Sequence, residues 1–138
     1  MIVVDTNILA YHWLPGPKSA ETDALTRIDP EWAAPLLWRS EFRNVLAGYI
    51  RSGRLSVADA ERAVHLAAAS LLGGEHAVAD EVVLSLVDGS RCSAYDCEFA
   101  ALATALGTVL ITEDRALLTA FPRLCRSLDE AVRGRLRP

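Results

Sequence analysis

The stretch Ile2-Val3-Val4-Asp5-Thr6-Asn7 decides the fold. Three apolar, partly β-branched residues in a row, with no polar alternation, read as a strand buried on both faces, as strands are inside a parallel sheet. Asp5 then stands where the chain leaves the core. In open α/β sheets the ligand crevice lies outside the carboxyl ends of the strands. A carboxylate at that point is therefore a candidate functional group as well as a turn residue.

Outward from this strand, helical spacing over Asn7 to Leu14 stops at Pro15-Gly16-Pro17, and a second helix is expected from Lys18 to Ile28. Trp32-Ala33-Ala34 is a short strand candidate. Pro35 is expected to open a helix through Tyr49 or Ile50, with Trp38, Phe42, Val45 and Tyr49 on one apolar stripe. Ser56 is a capping-box-like start for an alanine-rich helix ending at Gly73-Gly74. A short strand over Glu75 to Val78 and a helix over Ala79 to Val87 follow. Ser93 caps a helix from Ala94 to Leu106, closed by Gly107. Thr108-Val109-Leu110-Ile111-Thr112 is the clearest strand, followed at once by Glu113-Asp114. A short helix to Phe121-Pro122, an edge strand over Leu124 to Arg126 and an arginine-bearing helical tail complete the chain. Strands and helices alternating without repeats imply a layered α/β domain, 1–138, around a mostly parallel sheet.

Strand direction brings four acids to one edge. Asp5 and Asp114 each follow a buried strand. Asp96 lies in the first turn of the helix that leads into the Val109 strand, and in a right-handed crossover that turn begins at the edge where the previous strand ended. Glu41 lies early in a helix that follows a strand candidate, about 40° from Val45 at roughly 100° per residue, on the flank of the apolar stripe. A carboxylate there is costly without compensation. Each acid also has a purely structural reading. Asp5 and Asp114 suit helix N-caps, Asp96 completes a capping box with Ser93, and Glu41 pairs with a helix arginine. Four separate segments delivering acids to one edge favour the functional reading. Packed carboxylates repel unless a cation is present, and hard oxygen donors favour Mg²⁺ or Mn²⁺. Such a site suits phosphodiester hydrolysis, with water activated by the cation. Thr6, Asn7, Ser40, Asn44 and Thr112 are placed to orient the carboxylates.

Bulk properties agree. The 138 residues are one domain's worth of chain, 51% hydrophobic and 23% charged, which is globular composition. No apolar run is long enough to span a membrane, and the N-terminus lacks the pattern of a secretion signal. Three cysteines without metal-ligand spacing read as reduced thiols, so a cytoplasmic protein is expected. A net charge of −4, from 14 basic and 18 acidic side chains, excludes binding through a broad positive surface. It does not exclude a nucleic-acid enzyme whose acids hold a cation. Lys18 is the only lysine beside 13 arginines, a bias that suits phosphate contact or reflects base composition. His12, His65 and His76 are scattered and read as surface or satisfied core residues.

At Asp5-Thr6-Asn7, Ser40-Glu41 with Asn44, Tyr95-Asp96 with Leu102-Ala103, and Thr112-Glu113-Asp114, the sequence resembles the PIN-domain ribonucleases, and within them the small VapC-type toxins of toxin–antitoxin pairs. The resemblance spans nearly the whole chain. It implies a three-layer α/β/α sandwich, Mg²⁺- or Mn²⁺-dependent RNA cleavage, homodimerisation and inhibition by a cognate antitoxin. By motif position it gives Asp5, Glu41, Asp96 and Asp114 the catalytic, metal-holding roles. The fourth acid is the family's most variable, and Glu113 is a neighbour able to share its role. Cys97 is not a residue the motif demands. The alanine- and leucine-rich helices between Val57 and Val87 suit a dimer or antitoxin contact, or ordinary packing. Arg133, Arg135 and Arg137 suit RNA phosphates, or solvent. The non-enzymatic alternative is an interaction domain whose acids cap helices and bind a basic partner.

Overall fold

The computed structural model describes residues 1–134 and 136. Five strands form one sheet: β1 (Ile2–Val4), β2 (Trp32–Pro35), β3 (Glu75–His76), β4 (Leu110–Ile111) and β5 (Cys125–Arg126), in the order β3-β2-β1-β4-β5. Every pairing is parallel. Among the described residues eight helices accompany them: α1 (Thr6–Trp13), α2 (Ser19–Ile28), α3 (Trp38–Arg51), α4 (Val57–Ser70), α5 (Asp80–Asp88), α6 (Ala94–Leu106), α7 (Arg115–Ala120) and α8 (Leu128–Val132).

Strand order explains the layers. The chain steps from β1 to β2 to β3 in one direction, then crosses back over both to β4. Right-handed crossovers therefore send α1 to α4 to one face and α5 and α6 to the other. The packing agrees. Helix α6 lies against β1, β2 and β4 with α5 beside it, while α1 meets α2, α3 and α4, and α8 closes on α2. The result is an α/β/α sandwich. Its core holds all of β1 and β4 together with Trp38, Phe42, Phe99, Leu25 and Leu71. Helix α6 is buried along most of its length (Cys97 and Phe99 to Ala103), as a helix covering the middle of a sheet must be.

Order reverses between β1 and β4, which leave the sheet's centre toward opposite sides. The crevice outside their carboxyl ends is the topological switch point of the fold. Asp5 is the first residue after β1, and its backbone N–H still bonds the carbonyl of Ile111 in β4.

Several elements depart from the sequence expectations, among them β3, which ends at His76 rather than Val78, and β5, which begins at Cys125 rather than Leu124. Helix α3 begins at Trp38, because Pro35 is the last residue of β2, paired with His76. Ala34 and Leu36 donate toward β3, so Pro35, lacking an N–H, occupies the intervening position. Strand β4 is ladder-bonded only at its centre, Leu110–Ile111. The C-terminal helix carries Asp129 and Glu130 rather than arginines. Arg133 follows it and pairs with Asp129 at 3.0 Å, which is the solvated alternative for that side chain. Arg135 and Arg137 lie outside the described residues. The three cysteines are free, as the sequence reading expects, and all are buried.

Candidate active site

The N-terminal geometry of four helices delivers the acids. Asp5 caps α1, its Oδ1 accepting from the N–H of Thr6 at 2.7 Å. Asp114 caps α7, its Oδ1 accepting from the N–H of Leu117 at 2.9 Å. Ser93 caps α6 and accepts from the N–H of Asp96 at 3.1 Å. Glu41 stands in the first turn of α3. The capping and functional readings of these acids are thus not rivals. A cap at the carboxyl edge of a parallel sheet is what aims a carboxylate into the crevice.

All four acids line one pocket of about 460 Å³, together with Thr6, Asn7, Leu37, Ser40, Asn44, Val45 and Tyr95. Two hydroxyls tie the acids together. Thr112 Oγ1 donates to Asp5 Oδ2 at 2.7 Å and accepts from the N–H of Asp114 at 3.0 Å. Thr6 Oγ1 donates to Glu41 Oε1 at 2.8 Å. Among the described residues Asn7, Ser40 and Asn44 line the pocket without a hydrogen bond to any of the four acids. Glu113 does not line it. One of its oxygens accepts from the N–H of Leu128 at 2.8 Å and the other lies 3.7 Å from Lys18 Nζ, so it cannot stand in for Asp114. Cys97 is fully buried with its sulfur 3.9 Å from Ser90 Oγ, a packing position. None of the three histidines reaches the pocket.

Leu37 and Tyr95 are pocket residues that the sequence reading gave no role. Tyr95 is 64% exposed on the rim. Its one sequence signal was its place beside Asp96 in a capped first turn, since exposure of an aromatic cannot be read from a single sequence.

Among the described residues no lysine or arginine lines this pocket. Asp5, only 8% exposed, has its carboxyl pushed above the ordinary range by burial, and by Asp96 and Asp114, against the bonds from Thr112 and Thr6. Burial likewise raises Glu41, aided by Asp5, Asp96 and Glu98, and raises Asp96, aided by Asp114. Three groups in one pocket resist ionisation for want of a positive charge.

The PIN domain family pattern matches residues 2–124. The chain belongs to the PIN-domain family. Among solved structures, this PIN domain is similar to the protein PAE2754 of Pyrobaculum aerophilum, with a TM-score of 0.73 and 25% sequence identity over 95% of this chain and 85% of that one. No curated protein matches the chain. PIN domains are generally nucleases and typically use divalent metal ions.

The donor set fits such an ion by its chemistry: four carboxylates, no competing basic side chain among the described residues, and three of the four acids pushed toward neutrality. Among the described residues no three His, Cys, Asp or Glu side chains are already grouped as ligands. Asp5 and Asp114 hold their oxygens on helix caps and Glu41 holds one on Thr6, so the acids face one space without yet converging.

Proposed function

We propose that this chain is a Mg²⁺- or Mn²⁺-dependent endoribonuclease and acts as the toxin of a toxin–antitoxin pair. The observation that carries the proposal is the delivery of Asp5, Glu41, Asp96 and Asp114 from four elements into one pocket that no basic side chain among the described residues lines, within a PIN fold. These four residues would hold the cation. When bound, it supplies charge neutralisation and polarisation of the scissile phosphate.

The chain's own residues have separable tasks. Protonation of Asp5, Glu41 and Asp96, whose carboxyls burial pushes above their ordinary values, competes with the cation, which makes loading pH-dependent. Thr112 and Thr6 keep Asp5 and Glu41 in fixed orientations, a requirement for ligands set on the first residues of helices. Asn7, Ser40 and Asn44 offer hydrogen bonds to a bound strand from the pocket wall. Tyr95 offers a flat, solvent-facing ring on which an unpaired base stacks. The motif pieces support RNA as substrate and a toxin role.

A homodimer and a cognate antitoxin belong to the same proposal. Val57, Leu66, Leu72 and Leu84 are exposed between residues 57 and 87, with Leu72 91% accessible, where a protein partner's apolar side chains would cover them.

The direct test is incubation of the purified chain with total cellular RNA in Mn²⁺, in chelator, and as Asp96→Asn. Discrete cleavage by the unmodified chain in Mn²⁺ alone is expected. Equal cutting by Asp96→Asn, or none by the unmodified chain, overturns the proposal.

A further inference from the structure

One divalent cation on four ionised carboxylates leaves the pocket net negative toward a polyanion, and among the described residues no basic side chain in the pocket offsets this. Basic side chains that engage the strand therefore lie outside it. A second groove, of about 510 Å³, opens where the chain passes from Asp114 to Arg115 and again between Cys92 and Tyr95. It is lined by Gly89 to Cys92 and by one face of α7 (Arg115, Ala116, Thr119 and Ala120), with two arginines and no acid.

Among the described residues, neither Arg91 nor Arg115 has a hydrogen-bond, ion-pair or ring partner, and both are exposed. Cations in other grooves are engaged. Lys18 faces Glu113 at 3.7 Å, Arg54 covers the Tyr49 ring at 4.2 Å, and Arg126 Nη1 donates to the carbonyls of Pro122, Arg123 and Cys125. The thiol of Cys92 in its floor is pushed up chiefly by burial, with Asp96 and Asp114 adding to it, so the groove also lies in the field of the acids. Cys92, Ala116 and Ala120 give that floor an apolar character. Two free guanidinium groups beside an apolar floor suit a nucleotide: its phosphate on the arginines, its sugar and base on the floor.

We infer that the groove between the Gly89–Cys92 segment and α7 is a nucleotide subsite for single-stranded RNA, in which Arg91 and Arg115 bind a backbone phosphate next to the scissile one. This subsite rests on the nuclease reading above and supplies what that site lacks, a hold on the strand outside the acids. Contacts of this kind set register and affinity without reading sequence.

The test is binding of a fluorescein-labelled 12-nucleotide single-stranded RNA in Mg²⁺, by anisotropy across a salt series, in an Asp96→Asn background that does not cut. Arg91→Ala and Arg115→Ala are each expected to weaken binding several-fold. The slope of log affinity against log salt should become shallower by about 0.7 for each change and about 1.4 for the pair. Arg→Lys at either position should restore most of the slope but less of the affinity, because it keeps the charge and loses the bidentate fork. Unchanged affinity and slope in the double variant overturn the subsite and leave the groove to an acidic protein segment. Absence of binding before the arginines are changed overturns it as well. Cleavage by the unmodified chain is read separately: binding with the expected slopes but no cutting removes the nuclease reading and leaves the subsite, whereas cutting with insensitive binding does the reverse.

Discussion

Thr112 and Asp5, 107 positions apart in sequence, meet through a 2.7 Å hydrogen bond from Oγ1 to Oδ2 with both side chains buried. The same hydroxyl accepts from the N–H of Asp114. One side chain thus couples the acid after β1 to the acid after β4 across the switch point, and makes the site a property of the sheet's centre rather than of its loops.

Thr112→Val keeps the shape and removes both bonds. A buried carboxylate loses a donor and a backbone N–H loses its acceptor, so a loss of about 1–3 kcal/mol is expected. Loss of a partner that orients a ligand typically lowers metal affinity or activity by about 10–100-fold. Urea melts and cleavage rates in Mn²⁺ measure the two effects. Thr112→Ser should retain most of both, and equal loss in Ser and Val would show that the methyl group matters rather than the hydroxyl.

Glu75 anchors α3 to the edge strand β3. Its carboxylate accepts from Trp38 Nε1 at 2.6 Å, and from Arg39 Nε at 2.6 Å and Nη2 at 2.9 Å. Trp38 is fully buried, whereas Arg39 is substantially exposed. Water therefore replaces the carboxylate for Arg39 but not for Trp38. Glu75→Ala should cost about 1–3 kcal/mol through the orphaned indole N–H, and Arg39→Ala at most about 1 kcal/mol. Equal costs in urea melts would contradict this division.

Gly74 is required by space. A Cβ there would overlap the carbonyl oxygen of Trp32, a backbone atom of the neighbouring strand. The carbonyl of Gly74 also accepts from Ala34 at 2.9 Å, so the two strands cannot separate freely. Gly74→Ala is expected to cost about 1–3 kcal/mol, the usual range for overpacking, and to free the β3 edge. Faster amide exchange at Ala34 and Leu36 than in β1 would report this opening.

Where local chemistry decided the outcome, the chain was readable. Ala94–Leu106 ends as Ser93 and Gly107 require, one as a side-chain cap and the other in the left-handed region at φ 63°. The buried run at Ile2 and the acids after it were legible because burial on both faces leaves no alternation. What escaped was tertiary. Pro35 suits a helix start as well as a strand end, and only pairing with His76 decides between them. Glu113 and Asp114 are equivalent in sequence, but the N–H of Leu128 and Lys18 draw Glu113 away from the pocket. The free arginines of the second groove are identified by what is not near them, which no sequence pattern encodes.

The clustered acids also link stability to pH and to metal. A carboxyl whose folded-state value is raised binds its proton more tightly in the folded chain than in the unfolded one. Asp5, Asp96 and Glu41 therefore contribute stability below their ordinary values, 3.8 for Asp and 4.5 for Glu, and lose it as pH rises through the raised ones. Glu75, held low by Arg39, acts oppositely but below 4.5. His12, lowered by burial, also acts oppositely, below 6.5. Comparing Mn²⁺ with chelator at each pH cancels both, because neither residue lines the pocket. Mn²⁺ compensates the ionised acids, so its stabilisation should be small near pH 4.5 and grow toward pH 7.5. Asp5→Asn should abolish most of this growth. Melting temperatures that coincide with and without Mn²⁺ at every pH would favour an interaction domain over a metal-dependent enzyme.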